Sequence, residues 1–278
     1  MSSSLREQKA MREQLVLQLI DKRGKGLEVG PSYNPLAPKN GGWNVDVVDH
    51  LDAEGLRKKY AAWSVDTSKI EDVDYVIENQ TLFDAIQKPD EYDFIIASNV
   101  IEHTADLVGF LRDCQRLLKR GGVLSLVVPD KRYCFDIFKT VSTTGAILQA
   151  HLERRTQHSP GQIFDQYAYH TTRDGSLVWF DRELHGTRLV HTVSEAYARM
   201  QDYIVRNQFE DAHAWVFTPS SFRLVMQDLN VLGLINMGIA SFSATVGFEF
   251  FVSLKKSEPG QYVDRTDLLR RLDAELAH

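Results

Sequence analysis

Short apolar runs and longer amphipathic stretches alternate along the first half of the chain. The runs at Gly26–Gly30, Asn44–Asp49, Asp74–Ile77, Asp93–Ala97 and Val123–Val128 are too short for helices and read as strands. Between them, Asp52–Tyr60, Thr81–Gln87 and Asp106–Lys119 read as helices. Strands separated by helical spans need crossover connections, which predicts a parallel, doubly wound α/β sheet. Ahead of the first strand, residues 4–21 read as a helix with an incomplete apolar stripe, ended by Asp21-Lys22-Arg23-Gly24. It serves either to cap the domain or to cover a ligand.

Residues 131–213 break this rhythm. They hold six of the nine histidines and many aromatics, and they read as helix and loop. They read either as a capping subdomain with scattered surface histidines or as an acceptor-binding lid over the strand ends, and their place directly after the fifth strand favours the lid. Thr218-Pro219 then starts a helix through Phe222 and Leu229, with threonine as cap and proline in the first turn. Ile235–Ser243 and Gly247–Lys255 read as two closing strands with a turn near Ala244–Val246. Residues 263–275 predict a charged helix carrying Leu268, Leu269 and Leu272 on one side, to pack on the domain or on a second copy. The expected organisation is an N-terminal helix over residues 1–23 and one domain over 24–278, with 131–213 inserted.

Composition narrows the partners. The chain has 278 residues, 43% of them apolar, enough for a real core and too many for disorder. A net charge of −6 without a long basic run argues against nucleic acid. Lys131-Arg132 is the local exception, suited to an anionic group on a substrate. Cys114 and Cys134 form no metal-like or redox spacing. No stretch of about 20 apolar residues offers a membrane span, so a soluble, cytoplasmic protein is expected, with a homo-oligomer left open.

The most specific chemistry lies in Leu27-Glu28-Val29-Gly30-Pro31-Ser32-Tyr33-Asn34-Pro35. A strand ends in an acid, a glycine and small residues. Nineteen positions after Gly30, Val47-Val48-Asp49-His50 ends a second strand in another acid. Glycine allows a tight turn against a ligand, and the second acid can accept two ribose hydroxyls, or else cap the following helix. The turn is not GxGxxG and has no phosphate-gripping lysine, which disfavours a dinucleotide or ATP and favours a nucleoside without phosphates.

Two further segments sharpen the picture: Tyr92-Asp93-Phe94-Ile95-Ile96-Ala97-Ser98-Asn99-Val100-Ile101-Glu102-His103, and Leu117-Leu118-Lys119-Arg120-Gly121-Gly122-Val123-Leu124. Together with the acid-x-Gly turn, these resemble the class I S-adenosylmethionine-dependent methyltransferases over roughly residues 24–135. The resemblance implies a mostly parallel seven-stranded, Rossmann-like sheet closed by an antiparallel hairpin, with the insertion between the fifth and sixth strands. It implies S-adenosyl-L-methionine as cofactor, with Glu28, Gly30, Pro31 and Ser32 at its methionine part and Asp49 at its ribose. Asn79 would face adenine, and Ser98 and Asn99 would line the crevice. Val128-Pro129-Asp130-Lys131-Arg132-Tyr133-Cys134-Phe135-Asp136, together with Glu28–Pro35, resembles a branch that accompanies polysaccharide enzymes, implying a sugar or glycan hydroxyl as acceptor.

Methyl transfer to a hydroxyl needs positioning and a base. His103 lies in the loop after the fourth strand, and His213 lies just before the returning helix. Either suits the role, or else packs and orders its loop. Asp130 is the third candidate, to bind the acceptor or orient a histidine. No spacing such as HxxxH points to a metal, and none is expected. The alternatives are a small-metabolite methyltransferase, a non-catalytic partner subunit of the same fold, or a nicotinamide dehydrogenase.

Overall fold

The computed structural model describes residues 3–63, 65–78, 80–258, 260 and 262–277. Helix α1 (Ser3–Leu17) leads into β1 (Gly26–Val29) and β2 (Val45–Asp49). Then follow α2 (Ala53–Tyr60), β3 (Tyr75–Val76), α3 (Leu82–Ile86), β4 (Tyr92–Ser98), α4 (Leu107–Leu117) and β5 (Leu118–Pro129). The insertion holds α5 (Thr144–Leu152), α6 (Pro160–Ala168), a ribbon of β6 (Thr171–Arg173) and β7 (Thr187–Leu189), and α7 (Val193–Arg206). Helix α8 (Pro219–Val231), strands β8 (Met237–Val246) and β9 (Glu249–Lys256), and α9 (Arg265–Leu276) complete the chain.

The main sheet has seven strands in the order β3-β2-β1-β4-β5-β9-β8. Strands β1 to β5 pair in parallel, and β9 runs antiparallel to both β5 and β8. The expected doubly wound, mostly parallel sheet is thus observed. Strand order reverses around β1 and β4, and a crevice outside the carboxyl ends of strands at such a point is where open α/β sheets bind ligands.

Strand periodicity explains why both faces are covered. On β4, Ile95 points into the larger apolar cluster with Leu27, Leu124 and Leu126. Its neighbours Phe94 and Ile96 point the other way, against Val16 of α1, Val127 and Phe251. Burying each such side chain contributes about 2 kcal/mol. A Cβ on Gly26 would lie 2.1 Å from the Phe94 ring, so β1 starts with the residue that lets this ring sit flat.

Four expectations are corrected. Helix α1 stops at Leu17, before Asp21, because the Leu17 carbonyl accepts from Ile20 in a turn. Helix α4 stops at Leu117, not Lys119, since Leu118 is already extended and pairs with Tyr92. The closing hairpin turns at Gly247–Phe248, after Val246, with Gly247 at φ +68°. The insertion includes the small β6–β7 ribbon as well as helices. Helix α9 packs on its own domain: Leu268 is buried, and the Glu275 carboxylate accepts from the Ser220 backbone and hydroxyl at 3.0 and 2.7 Å. Among the described residues, no helix is long and apolar enough to cross a membrane.

Candidate functional site

At the tip of β1 the chain turns through Gly30 (φ +61°) and Ser32 (φ +49°). Glu28 points under this turn and is buried; its carboxylate accepts from the Leu36 and Ala37 amides at 2.7 and 3.0 Å. Burial pushes its pKa up to about 7, while the two amides hold it back. Glu28 therefore shapes the loop through Pro31. Asp49, buried at the tip of β2, accepts from the Ser32 amide at 3.2 Å and from His50 Nδ1 at 2.6 Å. The cap of α2 is Asp52, which bonds the Gly55 amide, so Asp49 is not spent on the helix. Asn79 lies outside the described residues.

Ser98 and Asn99 end β4. The Ser98 hydroxyl accepts from Arg12 of α1 at 2.7 Å, and Arg12 Nε also donates to Glu249 at 2.8 Å. Helix α1 therefore both packs on the sheet and closes one edge of the crevice. Asn99 adopts φ +54°, and its side-chain oxygen is buried without a hydrogen-bond partner among the described residues. That strained backbone and the unpaired acceptor are features of a ligand-facing position.

The other end of the crevice is formed by the loop after β4 and the segment returning from the insertion. The amides of Ala214 and Trp215 donate to the Glu102 carbonyl at 2.8 and 3.1 Å, and Trp215 Nε1 donates to the Thr104 carbonyl at 2.6 Å. These bonds bring His213 beside His103, with ring centroids 4.7 Å apart and edge to face. Each imidazole is aligned through Nδ1: His103 by Asp211 at 2.7 Å, His213 by Asp136 at 2.5 Å. Asp136 is buried and also meets Lys139 Nζ at 2.8 Å. Lys139 in turn donates to Gln166 at 2.6 Å, and Gln166 accepts from the His213 amide.

Charge in this cluster is set by competition. Burial opposes ionisation of Asp136, but His213 and Lys139 outweigh it and hold the carboxyl well below its usual range. Asp211 is exposed, and its hydrogen bond from His103 holds its carboxyl well below the usual range. Burial pulls His103 down, but Asp211 and Glu102 prevail, and its pKa is raised. Glu102 is pushed up, chiefly by burial.

The comparisons can be set on this geometry. A methyltransferase-domain family model matches residues 5–231. The chain belongs to the methyltransferase-domain family. No curated protein matches the sequence. Solved structures resemble it in outline. The PH0226 protein of Pyrococcus horikoshii is 15% identical, with 92% of each chain covered and a TM-score of 0.45. A SAM-dependent methyltransferase of Methanosarcina mazei is 13% identical, covering 89% of this chain and 98% of its own, with a TM-score of 0.42.

The methyltransferase distributes its predicted site residues unevenly. Gly30, Pro31, Ser32 and Asp49 gather at the tips of β1 and β2, Ser98 and Asn99 lie at the tip of β4, and His103 meets His213. Asp130 is the exception. Fully buried, it receives a two-pronged bond from Arg132 and one from Thr245 at 2.6 Å, and it caps the turn at Lys131–Tyr133. Its oxygens are thereby engaged in holding the lid to the sheet. Lys131 and Arg132 are turned inward too, the first onto the Ile137 carbonyl, the second onto Asp130, which answers the expected anionic contact with structural roles. Trp179 and Trp215 are buried, Trp215 within the main apolar cluster beside the sheet. Sequence reasoning assigned no role to Arg12, Glu102, Asp136 or Asp211. The partners of Asp136 and Asp211 are 77 and 108 residues away, beyond any local pattern.

Proposed function

We propose that this methyltransferase binds S-adenosyl-L-methionine across β1, β2 and β4 and methylates a hydroxyl, with a sugar or glycan as the acceptor class. The crevice residues suit that cofactor. Asp49 presents a buried carboxylate at the ribose position, with Oδ2 engaged only by the long Ser32 contact. Gly30 lets the backbone approach closely, and the unpaired Asn99 oxygen awaits a donor. When bound, S-adenosylmethionine supplies an electrophilic methyl group on its sulfonium. No triphosphate or dinucleotide is favoured, because the turn offers neither a GxGxxG backbone nor a lysine.

The paired histidines are the observation that carries the hydroxyl reading. A hydroxyl is a poor nucleophile until its proton leaves, and an imidazole aligned by a carboxylate is suited to take it. His103 and His213 are both so aligned, with Nε2 left as the free nitrogen of each. Residues 131–213 supply one wall of this end, where the His213 side chain is 11% and the His103 side chain 33% exposed. A sugar acceptor is supported by the resemblance of the Val128–Tyr133 segment.

Calorimetry tests the cofactor and a product screen tests the acceptor. S-adenosylmethionine should bind at micromolar levels, and no binding near about 1 mM would sink the reading. Nucleotide sugars and oligosaccharides should then gain a methyl group, seen by mass spectrometry. His103→Ala and His213→Ala should each lower turnover by roughly a hundredfold with cofactor affinity intact. Methylation of small metabolites alone would move the acceptor out of the sugar class.

A further inference from the structure

Glu102 has no account in the interactions described so far. It is 1% exposed, and among the described residues neither carboxylate oxygen has a hydrogen-bond partner. A carboxylate is not taken out of water without compensation, and the chain supplies none by hydrogen bonding. Around it stand the two histidines. One ligating atom from each of Glu102, His103 and His213 lies within 4.8 Å of the others. Glu102 Oε1 is 3.9 Å from His103 Nε2, less than the sum of two metal–ligand bonds of about 2.0–2.2 Å each.

We propose that Glu102, His103 and His213 hold a divalent transition-metal ion, zinc or a close relative. Two imidazoles and a carboxylate are the donor set of an open zinc site, with three protein ligands and room for an oxygen from outside. Metal-bound histidines typically spend their second nitrogen on a carboxylate, which fixes the tautomer and aims the ring. Both do so here, His103 on Asp211 and His213 on Asp136. The ligand loops are also held together without a metal, since the Ala214 and Trp215 amides bond the Glu102 carbonyl. The site is therefore preformed rather than assembled by the ion. This inference rests on reading the cluster as the acceptor-facing end of the crevice. With a cation bound, the two imidazoles would be ligands in place of bases, and an acceptor hydroxyl in the open position would be made more acidic by the cation and would lose its proton to solvent.

The test is metal binding by the full, untagged chain, stripped with chelator, in the absence of cofactor and acceptor. Zn²⁺ followed by calorimetry should bind at one equivalent, with micromolar or tighter affinity. Co²⁺ should give the visible absorption of a low-coordinate site. Glu102→Gln and His213→Ala should each weaken Zn²⁺ by at least about a hundredfold, and Asp136→Asn by about ten- to a hundredfold through its hold on His213. His185→Ala, at an exposed histidine, should change nothing. No uptake up to on the order of 100 µM Zn²⁺ would overturn the proposal. So would equal uptake by the wild type and the Glu102→Gln/His213→Ala double variant. Should the His213 variant fail to fold, Glu102→Gln carries the test, because it keeps the side-chain shape. S-adenosylmethionine binding measured in chelator reports on the cofactor alone, so a metal-free result with cofactor bound removes only the metal.

Discussion

The two ends of the crevice are built by different means. Around β1 and β2, polar contacts join residues close in sequence: Glu28 meets the Leu36 and Ala37 amides eight and nine positions on, and Ser32 meets Asp49 seventeen positions on. Most donors there are backbone amides presented by a turn. Around His103 and His213 the contacts are between side chains, across separations of 77 and 108 residues. The first arrangement is set once the strands form. The second needs residues 131–213 packed against the loop after β4, and it holds Glu102, Asp136 and Lys139 buried. The proposed acceptor end is thus the more costly part of the molecule and the more sensitive to the loss of one partner.

The contrast is broken most directly at Asp136. Asp136→Ala leaves Lys139 and His213 without their buried counter-ion and should lower stability by about 3–5 kcal/mol, read by urea unfolding. A loss under about 1 kcal/mol would show that the lid end is no more costly than the rest.

His158 provides a pH test of the same region. Its ring is buried with neither nitrogen hydrogen-bonded among the described residues, and its pKa is lowered from 6.5 to about 4, chiefly by burial. Between those values the unfolded chain binds a proton that the native ring refuses. Stability should therefore fall as pH drops from 6.5 towards 4, by roughly 3 kcal/mol from this group at the limit. His158→Leu should flatten that slope in equilibrium unfolding; an unchanged slope would place the titrating groups elsewhere.

At the other end, Asp49→Ala removes a charged acceptor worth about 2 kcal/mol to bound ribose hydroxyls. The S-adenosylmethionine dissociation constant should rise by at least about tenfold in calorimetry, with the lid unaffected. An unchanged constant in a folded protein would move the ribose to another acid. Gly30→Ala should have the smallest effect on stability, about 1 kcal/mol from the positive φ. The added methyl would meet Val100 only at 3.4 Å. A loss as large as that of Asp136→Ala would erase the distinction between the two ends.

What the sequence by itself determined is what repeats or stays local. Strand and helix periods are written in neighbouring residues, so β1 to β5, the doubly wound sheet and the turn at Gly30 were legible, as was an acid at the tip of β2. Local ambiguity also set the errors. Leu118 extends into the sheet because Tyr92 is there to pair with it, and α1 ends early for want of a continuing helical turn. Only the tertiary structure decided that Asp130 is tied to Arg132 and Thr245, that Arg12 reaches Ser98, and that Asp211 and Asp136 align the two histidines. It alone left Glu102 buried between those histidines without a partner. The physical reason is that a side-chain pair across a hundred residues costs the intervening chain no particular pattern. Its partners are chosen by which surfaces meet when the lid packs down, and that choice is made by the whole fold.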